Sequence, residues 1–206
     1  CVFLGKDCSD RETWSYMEQT KINQEQSTST QSSAMEEAPP ARRTMWSRKQ
    51  QIVRILWGTL GKFIWVVFPG MRSWILRRFG ATIGSDCGFA RRVEITIPWN
   101  LHVGNNCRVA EHAILYNLGQ ITIGDSVRID TRAHLCAGTH DMRDTTFPLL
   151  RPPISLGDGC YIGVDAYIAP DVTLGSNTIV HARASVYKSY DGNVELQGNP
   201  AREVQQ

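Results

Sequence analysis

The sequence predicts an all-β fold: a single-stranded parallel β-helix of about five coils, preceded by an amphipathic helical segment and a disordered leader. Three observations carry this reading. Aliphatic or aromatic residues open successive six-residue steps, with three blocks before a break (Ile83, Phe89, Ile95; Val103, Val109, Leu115; Ile123, Ile129, Leu135). Two more blocks follow it (Leu156, Ile162, Ile168; Leu174, Val180, Val186). The fifth residue of each step is mostly small, as at Cys87, Cys107, Ala113, Ala133, Cys160 and Ala166. The pattern fails once, over Thr139–Pro153, which reads THDMRDTTFPLLRPP.

The elements can be justified in chain order. Residues 1–44 are polar, with a Gln/Ser/Thr run from Gln24 to Ser33, and too little apolar surface to offset the entropy of ordering them. They are expected to be a disordered leader. Residues 45–80 differ in kind: Trp46, Trp57, Trp65 and Trp74 are interleaved with Arg and Lys, and Pro69-Gly70 divides the stretch into two helices. The apolar run from Ile52 to Phe68 is interrupted by Arg54 and Lys62, so it is short and charged for a membrane span of ~20 residues. Two compatible readings stay open. Its apolar face caps the end of the solenoid, as such ends require, or it lies in the interface plane of a membrane.

Residues 81–191 form the repeat itself, with residues 139–153 as a loop interrupting it, and residues 192–206 form a tail. Three hexads make one triangular coil, each giving a short strand and a corner. The leading aliphatics stack inward, and the fifth position also points into the narrow core. Ile83, Val103 and Ile123 are spaced by 20 residues, which is 18 plus a two-residue corner insertion, whereas Leu156 to Leu174 is 18. At ~4.8 Å per layer, five coils make a prism of roughly 20–25 Å.

Composition narrows the function classes. Net charge is +2, with 22 basic and 20 acidic residues, which gives no reason to expect nucleic acid as a partner. The six cysteines show no zinc-type or paired spacing, and three of them occupy the small fifth slot. They read as packing residues in a reducing compartment. No basic end, apolar run and small-residue cleavage site mark a secretory signal, so a cytoplasmic location is expected, with contact at the inner face of the membrane as the second reading above.

With RRFGATIG, IPWNLHVG, LYNLGQITIG, LCAGTHD, FPLLRPPISLGDGCYIG and GNPAREV in hand, the chain resembles the left-handed β-helix hexapeptide acyltransferases. Within them it is most similar to the colanic acid biosynthesis O-acetyltransferases, with galactoside and maltose acetyltransferases more distant. The resemblance covers roughly residues 77–204. It implies a left-handed helix, a homotrimer, acetyl-CoA as donor and a sugar hydroxyl as acceptor, an exopolysaccharide precursor in the colanic acid subgroup.

The resemblance also implies site residues. The family histidine matches His140, at the opening of the break. A sugar hydroxyl must lose its proton as it attacks a thioester, and histidine, titrating near pH 6.5, has a neutral form ready to accept it. Asp141 follows directly and is a candidate to orient the ring or contact the acceptor. Asn117 matches an asparagine that contacts the sugar, with a structural corner asparagine as the competing reading. For the donor, Tyr161 matches an aromatic bordering coenzyme A, Ala182 offers backbone contacts, and Lys188 and Arg202 match cations that suit the nucleotide phosphates. Arg183 replaces a usual glycine, and YKSYDGN departs from the family's TKDxPPN. His102, read as lying in a corner insertion, and His134 are not placed to share a metal with His140. No metal is therefore expected, which argues against a β-helical carbonic anhydrase. A non-catalytic trimeric scaffold at the membrane surface and a non-sugar acceptor are the remaining alternatives.

Overall fold

A computed structural model describes residues 46–204; the expected leader, residues 1–44, lies outside the described residues. The hexads wind as three strands per coil. Coil 1 holds Thr82–Ile83, Gly88–Phe89 and Glu94–Ile95, and coil 2 holds Leu101–Val103, Arg108–Val109 and Ile114–Tyr116. Coil 3 holds Ile121–Ile123, Arg128–Ile129 and His134–Cys136. After the break, coil 4 holds Ile154–Leu156, Tyr161–Ile162 and Tyr167–Ile168, and coil 5 holds Thr173–Leu174, Ile179–Val180 and Ser185–Val186. A sixth turn is begun by Tyr190, bridged to Leu174, and by Glu195–Gln197, which pairs with Ile179–Val180.

Stacking is in parallel register at the positions that open the hexads. On the first face Ile83, Val103, Ile123, Leu156 and Leu174 lie one above another. Phe89, Val109, Ile129, Ile162, Val180 and Leu196 do so on the second, and Ile95, Leu115, Leu135, Ile168 and Val186 on the third. All are buried. Side chains alternate across a strand, so the residue before each opener faces out, which gives the first face its polar column Thr82, His102, Thr122, Ser155 and Thr173. His102 is thus the middle of a strand and not part of a corner insertion: the extra residues of the first 20-residue coil sit before it, at Pro98–Asn100.

The small fifth position follows from crowding at the corners. Cys87, Cys107 and Cys160 turn their thiols onto the carbonyls of Gly104, Gly124 and Gly175 at 3.0, 3.1 and 3.2 Å. Burial pushes the Cys107 thiol up to about 11 and raises Cys160 as well, so these are packing groups held as thiols. A second ladder ties the same corner. The Asn105 amide oxygen accepts from Ser85 N, the Asp125 carboxylate from Asn105 N, and the Asp158 carboxylate from Asp125 N. Each side chain satisfies a corner N–H in the coil below it.

The N-terminal segment folds as helix α1 (Arg48–Leu56), a π turn (Trp57–Gly61) and helix α2 (Lys62–Val67); a 3-10 turn at Pro69–Met71 then leads into helix α3 (Arg72–Arg78). Ser47 and Gln50 form a reciprocal capping box at its start. The π turn has a clear packing role. Trp57 and Trp65 are eight residues apart, which in an α-helix leaves them about 80° out of phase. The wider turn removes most of that offset. Both indoles then face coil 1, donating to the carbonyls of Ile95 (3.0 Å) and Arg91 (2.9 Å).

That arrangement covers an open sheet edge. Coil 1 has no lower neighbour to donate to its carbonyls. Besides the two indoles, Arg72 donates to Phe89 O, Ser73 to Cys87 O and Arg77 to Ile83 O. The segment therefore caps the solenoid with hydrogen bonds as well as apolar packing. At the far end, Arg202–Glu203 turns back antiparallel on Glu195–Gln197.

Candidate active site

The interruption of the repeat falls at one corner, between the third face of one coil and the first face of the next. In coils 1 and 2 this corner is lengthened by two residues; after coil 3 it carries the whole break. The insertion is a β-hairpin: Thr139–His140 pairs antiparallel with Leu149–Leu150. Asp141 N donates to Pro148 O at 3.1 Å, and Phe147 N to Asp144 O at 3.0 Å. Asp144 also accepts from the N–H and hydroxyl of Thr146, both at 2.8 Å, which lowers its carboxyl below the usual range. Gly119 shows why the return leg fits. A Cβ there would lie 2.5 Å from Pro152 O and 2.6 Å from Arg151 O, so only glycine lets the backbone pass this close.

His140 is exposed on the outgoing leg. Its Nδ1 lies 2.8 Å from the carbonyl oxygen of Phe147. A carbonyl can only accept, so Nδ1 carries the hydrogen, and in a neutral ring the acceptor nitrogen is then Nε2. The partner that orients the ring is a backbone group on the opposite leg. Phe147 adopts a positive φ of 48° at the turn that precedes this leg. The sequence offers no side-chain signal for such a carbonyl.

Asp141 is not the orienting group. Its carboxylate accepts from Arg143 N at 2.9 Å and so closes its own turn, as aspartate side chains do near backbone amides. Asn117 also departs from expectation. It does lie in the coil below the hairpin, but its side chain is fully buried. Oδ1 accepts from Thr96 N at 3.1 Å and Ile97 N at 2.9 Å, and Nδ2 donates to Ile97 O. The corner asparagine is a structural group, turned inward where it pairs the buried Ile97 amide and adds bonds to Thr96 N and Ile97 O.

The four residues expected at the donor lie at three places. Tyr161 projects from the second face of coil 4, and its hydroxyl donates to Asp130 at 2.8 Å. That bond raises the Tyr161 pKa; the Asp130 carboxyl is lowered by the Thr131 amide first and by this bond second. Lys188 and Arg202 belong to the C-terminal end. Lys188 Nζ sits 5.0 Å over the Tyr190 ring, and the Tyr190 hydroxyl donates to the carbonyl of Ala201, next to Arg202. Ala182 is exposed at a corner of coil 5, beside Arg183. Arg183 has a positive φ of 60°, which explains why glycine suits this corner elsewhere. Among the described residues no group of three or more His, Cys, Asp or Glu is placed to hold a metal ion.

One tie joins the hairpin to the helical cap. The Arg151 guanidinium lies 4.2 Å over the Trp46 ring, and Arg54 lies 5.2 Å from the same ring. Trp46 also meets Trp99 edge-on at 6.0 Å. The base of the hairpin is thereby clasped to the start of α1, a contact that 105 residues of separation hide from any local pattern.

The profile of the bacterial transferase hexapeptide (six repeats) family matches residues 153–188. The putative colanic acid biosynthesis acetyltransferase WcaF of Escherichia coli strain K12 is 42% identical over 130 residues, spanning 63% of this chain and 71% of that protein. The chain belongs to the hexapeptide-repeat acyltransferases. Two solved structures share its fold. A galactoside acetyltransferase in complex with coenzyme A superposes with a TM-score of 0.71 at 23% identity, covering 79% of this chain and 84% of that one. A Vibrio cholerae hexapeptide-repeat acetyltransferase complexed with acetyl coenzyme A gives 0.71 at 21% identity, covering 77% and 89%. The solenoid of this hexapeptide-repeat acyltransferase is thus the left-handed parallel β-helix expected from the resemblance.

Proposed function

We propose that this acetyltransferase moves an acetyl group from acetyl-CoA directly to a hydroxyl of a sugar or polysaccharide precursor, with His140 as the general base. The observation that carries the proposal is the bond from His140 Nδ1 to the Phe147 carbonyl, which leaves Nε2 of this exposed residue as the acceptor nitrogen. In the transfer, Nε2 takes the hydroxyl proton as the acceptor oxygen bonds to the thioester carbon. The carbon–sulfur bond then breaks, and the proton passes to the departing thiolate. No covalent enzyme intermediate is required, and the raised pKa values of Cys107 and Cys160 make neither a ready nucleophile.

The sugar acceptor is supported by the 42% identity to a putative colanic acid biosynthesis acetyltransferase, and the donor by the coenzyme complexes of two relatives in fold. Tyr161, Ala182, Lys188 and Arg202 are proposed to border the coenzyme, the two cations at its phosphates. A homotrimer is proposed, with each hairpin reaching a neighbouring subunit. Met142, Phe147 and Leu150 present large apolar groups to solvent along it, as a segment meeting a second chain would.

The test is steady-state transfer by His140→Ala against a panel of sugar acceptors, with acetyl-CoA affinity measured by calorimetry. Loss of general-base help lowers kcat by ~10²–10⁴ while the donor still binds. A variant that transfers at the wild-type rate removes His140 from the mechanism.

A further inference from the structure

The helical cap has two long faces, and only one is used by the solenoid. Trp57, Gly61 and Trp65 are buried against coil 1. The opposite side carries Ile52, Ile55, Leu60, Phe63 and Val67, each between 48% and 65% exposed. The π turn that aligns the two indoles also aligns this stripe. A five-residue step across it, from Ile55 to Leu60, advances about as far as a four-residue step in an α-helix. Phe68 and Trp74, both about half exposed, extend the apolar surface beyond α2.

Charge on the same segment is one-sided. Between Trp46 and Gly80 there is no aspartate or glutamate, against seven arginines and lysines. Three of these are engaged: Arg72 and Arg77 with coil 1 carbonyls, and Arg54 with the Trp46 ring. The side chains of Arg48, Lys49, Lys62 and Arg78 make no hydrogen bond or ion pair among the described residues, and all four residues are exposed.

An apolar stripe of this length is unusual on a free surface. Its occupant must accept large aliphatic and aromatic groups and supply negative charge alongside. A second copy of the segment satisfies the first condition and fails the second, since it sets cation against cation. A bilayer with anionic headgroups satisfies both: the side chains enter the acyl boundary while lysine and arginine stay at the phosphates. No helix among the described residues is long and apolar enough to cross a membrane, so the segment lies on the surface and does not span it. We infer that residues 48–78 dock the exposed face of α1 and α2 in the plane of an anionic lipid bilayer, with the coil 1 end of the solenoid towards it. This rests on neither the acceptor nor the role of His140.

Co-sedimentation of the full chain with vesicles tests the inference. Binding is expected to mixed phosphatidylcholine–phosphatidylglycerol vesicles, weakened roughly tenfold or more on pure phosphatidylcholine or in high salt. The triple variant Ile55→Glu/Leu60→Glu/Phe63→Glu should lose binding by roughly tenfold or more while melting as the parent does, because all three positions are exposed. Arg48→Glu/Lys49→Glu touches no apolar packing and should weaken binding to the mixed vesicles alone, which keeps the test decisive if the triple variant does not fold. Equal binding to both vesicle types, no binding to either, or a triple variant that binds like the parent overturns the inference. So does sedimentation velocity showing that the triple variant dissociates a parent oligomer, which would assign the stripe to a second copy.

Discussion

His134 and His140 stand six residues apart, and the structure gives them opposite chemistry. His134 faces out from coil 3 but is half-buried in a column of aromatic rings, 6.4 Å from Tyr116 and 5.5 Å from Tyr167. Its Nε2 is buried without a hydrogen-bond partner, and burial holds its pKa below the ordinary histidine value. His140 sits on the hairpin, exposed, with one nitrogen engaged by a carbonyl and the other open. In a coil, the hexad position decides what a side chain touches, and neighbours above and below enclose it. In the hairpin there is no layer above, so a ring can be oriented from one side and left accessible on the other. The same residue type becomes packing in one region and a candidate base in the other.

The contrast can be tested from both sides. The largest stability effect is expected at Asn117, the residue whose assignment moved from the site to the scaffold. Asn117→Ala leaves the buried amide of Ile97 without its partner and removes the side-chain bonds to Thr96 N and Ile97 O, which keep backbone contacts to Leu115 O and Asn100 N. A loss of about 2 kcal/mol is expected, or about 4–8 °C in Tm, with the acceptor KM unchanged for the folded fraction. A raised KM with an unaltered Tm would return Asn117 to the acceptor site.

The next effect is in pH dependence and concerns His134. Its folded pKa lies below the unfolded value of 6.5. As pH falls through that value the unfolded chain takes up the proton first. The associated stability is therefore present above about 6.5 and lost progressively towards the lower folded pKa. Denaturant melts between pH 7 and 5 should show a shallower loss for His134→Phe, which keeps an aromatic ring in the column. Identical slopes would place the acid sensitivity on the carboxylates, not on this histidine.

The smallest effect is expected at Asp141. Removing its turn bond by Asp141→Ala should lower stability by ~0.5–1.5 kcal/mol. kcat should change by less than about tenfold, well short of the ~10²–10⁴ expected for a group that acts in proton transfer. A fall in kcat as large as that of His140→Ala would show that Asp141, and not only the Phe147 carbonyl, governs the ring.

Much of the architecture was legible because it is periodic. The fifteen hexad openers from Ile83 to Val186 all stack in register, and the cysteines of the fifth position pack as small residues. Aliphatic spacing reports this directly, since an inward position that recurs every six residues can only be filled one way. The incomplete sixth turn escaped the pattern because Tyr190 and Leu196 follow an altered spacing. The π turn escaped it too: an eight-residue gap between two tryptophans gives no sign of which turn will carry the extra residue.

What the sequence by itself determined is the scaffold, its interruption after Gly138, and the one histidine that opens the interruption. Those depend on residue type and interval, which the chain states outright. Only the tertiary structure decided that Asn117 turns inward, that Asp141 serves its own turn, and that a carbonyl of Phe147 holds the His140 ring. The reason is that hydrogen-bond direction depends on which backbone groups are left unpaired once the chain has folded. Backbone carbonyls are the same in every residue, so no sequence marks the one that matters.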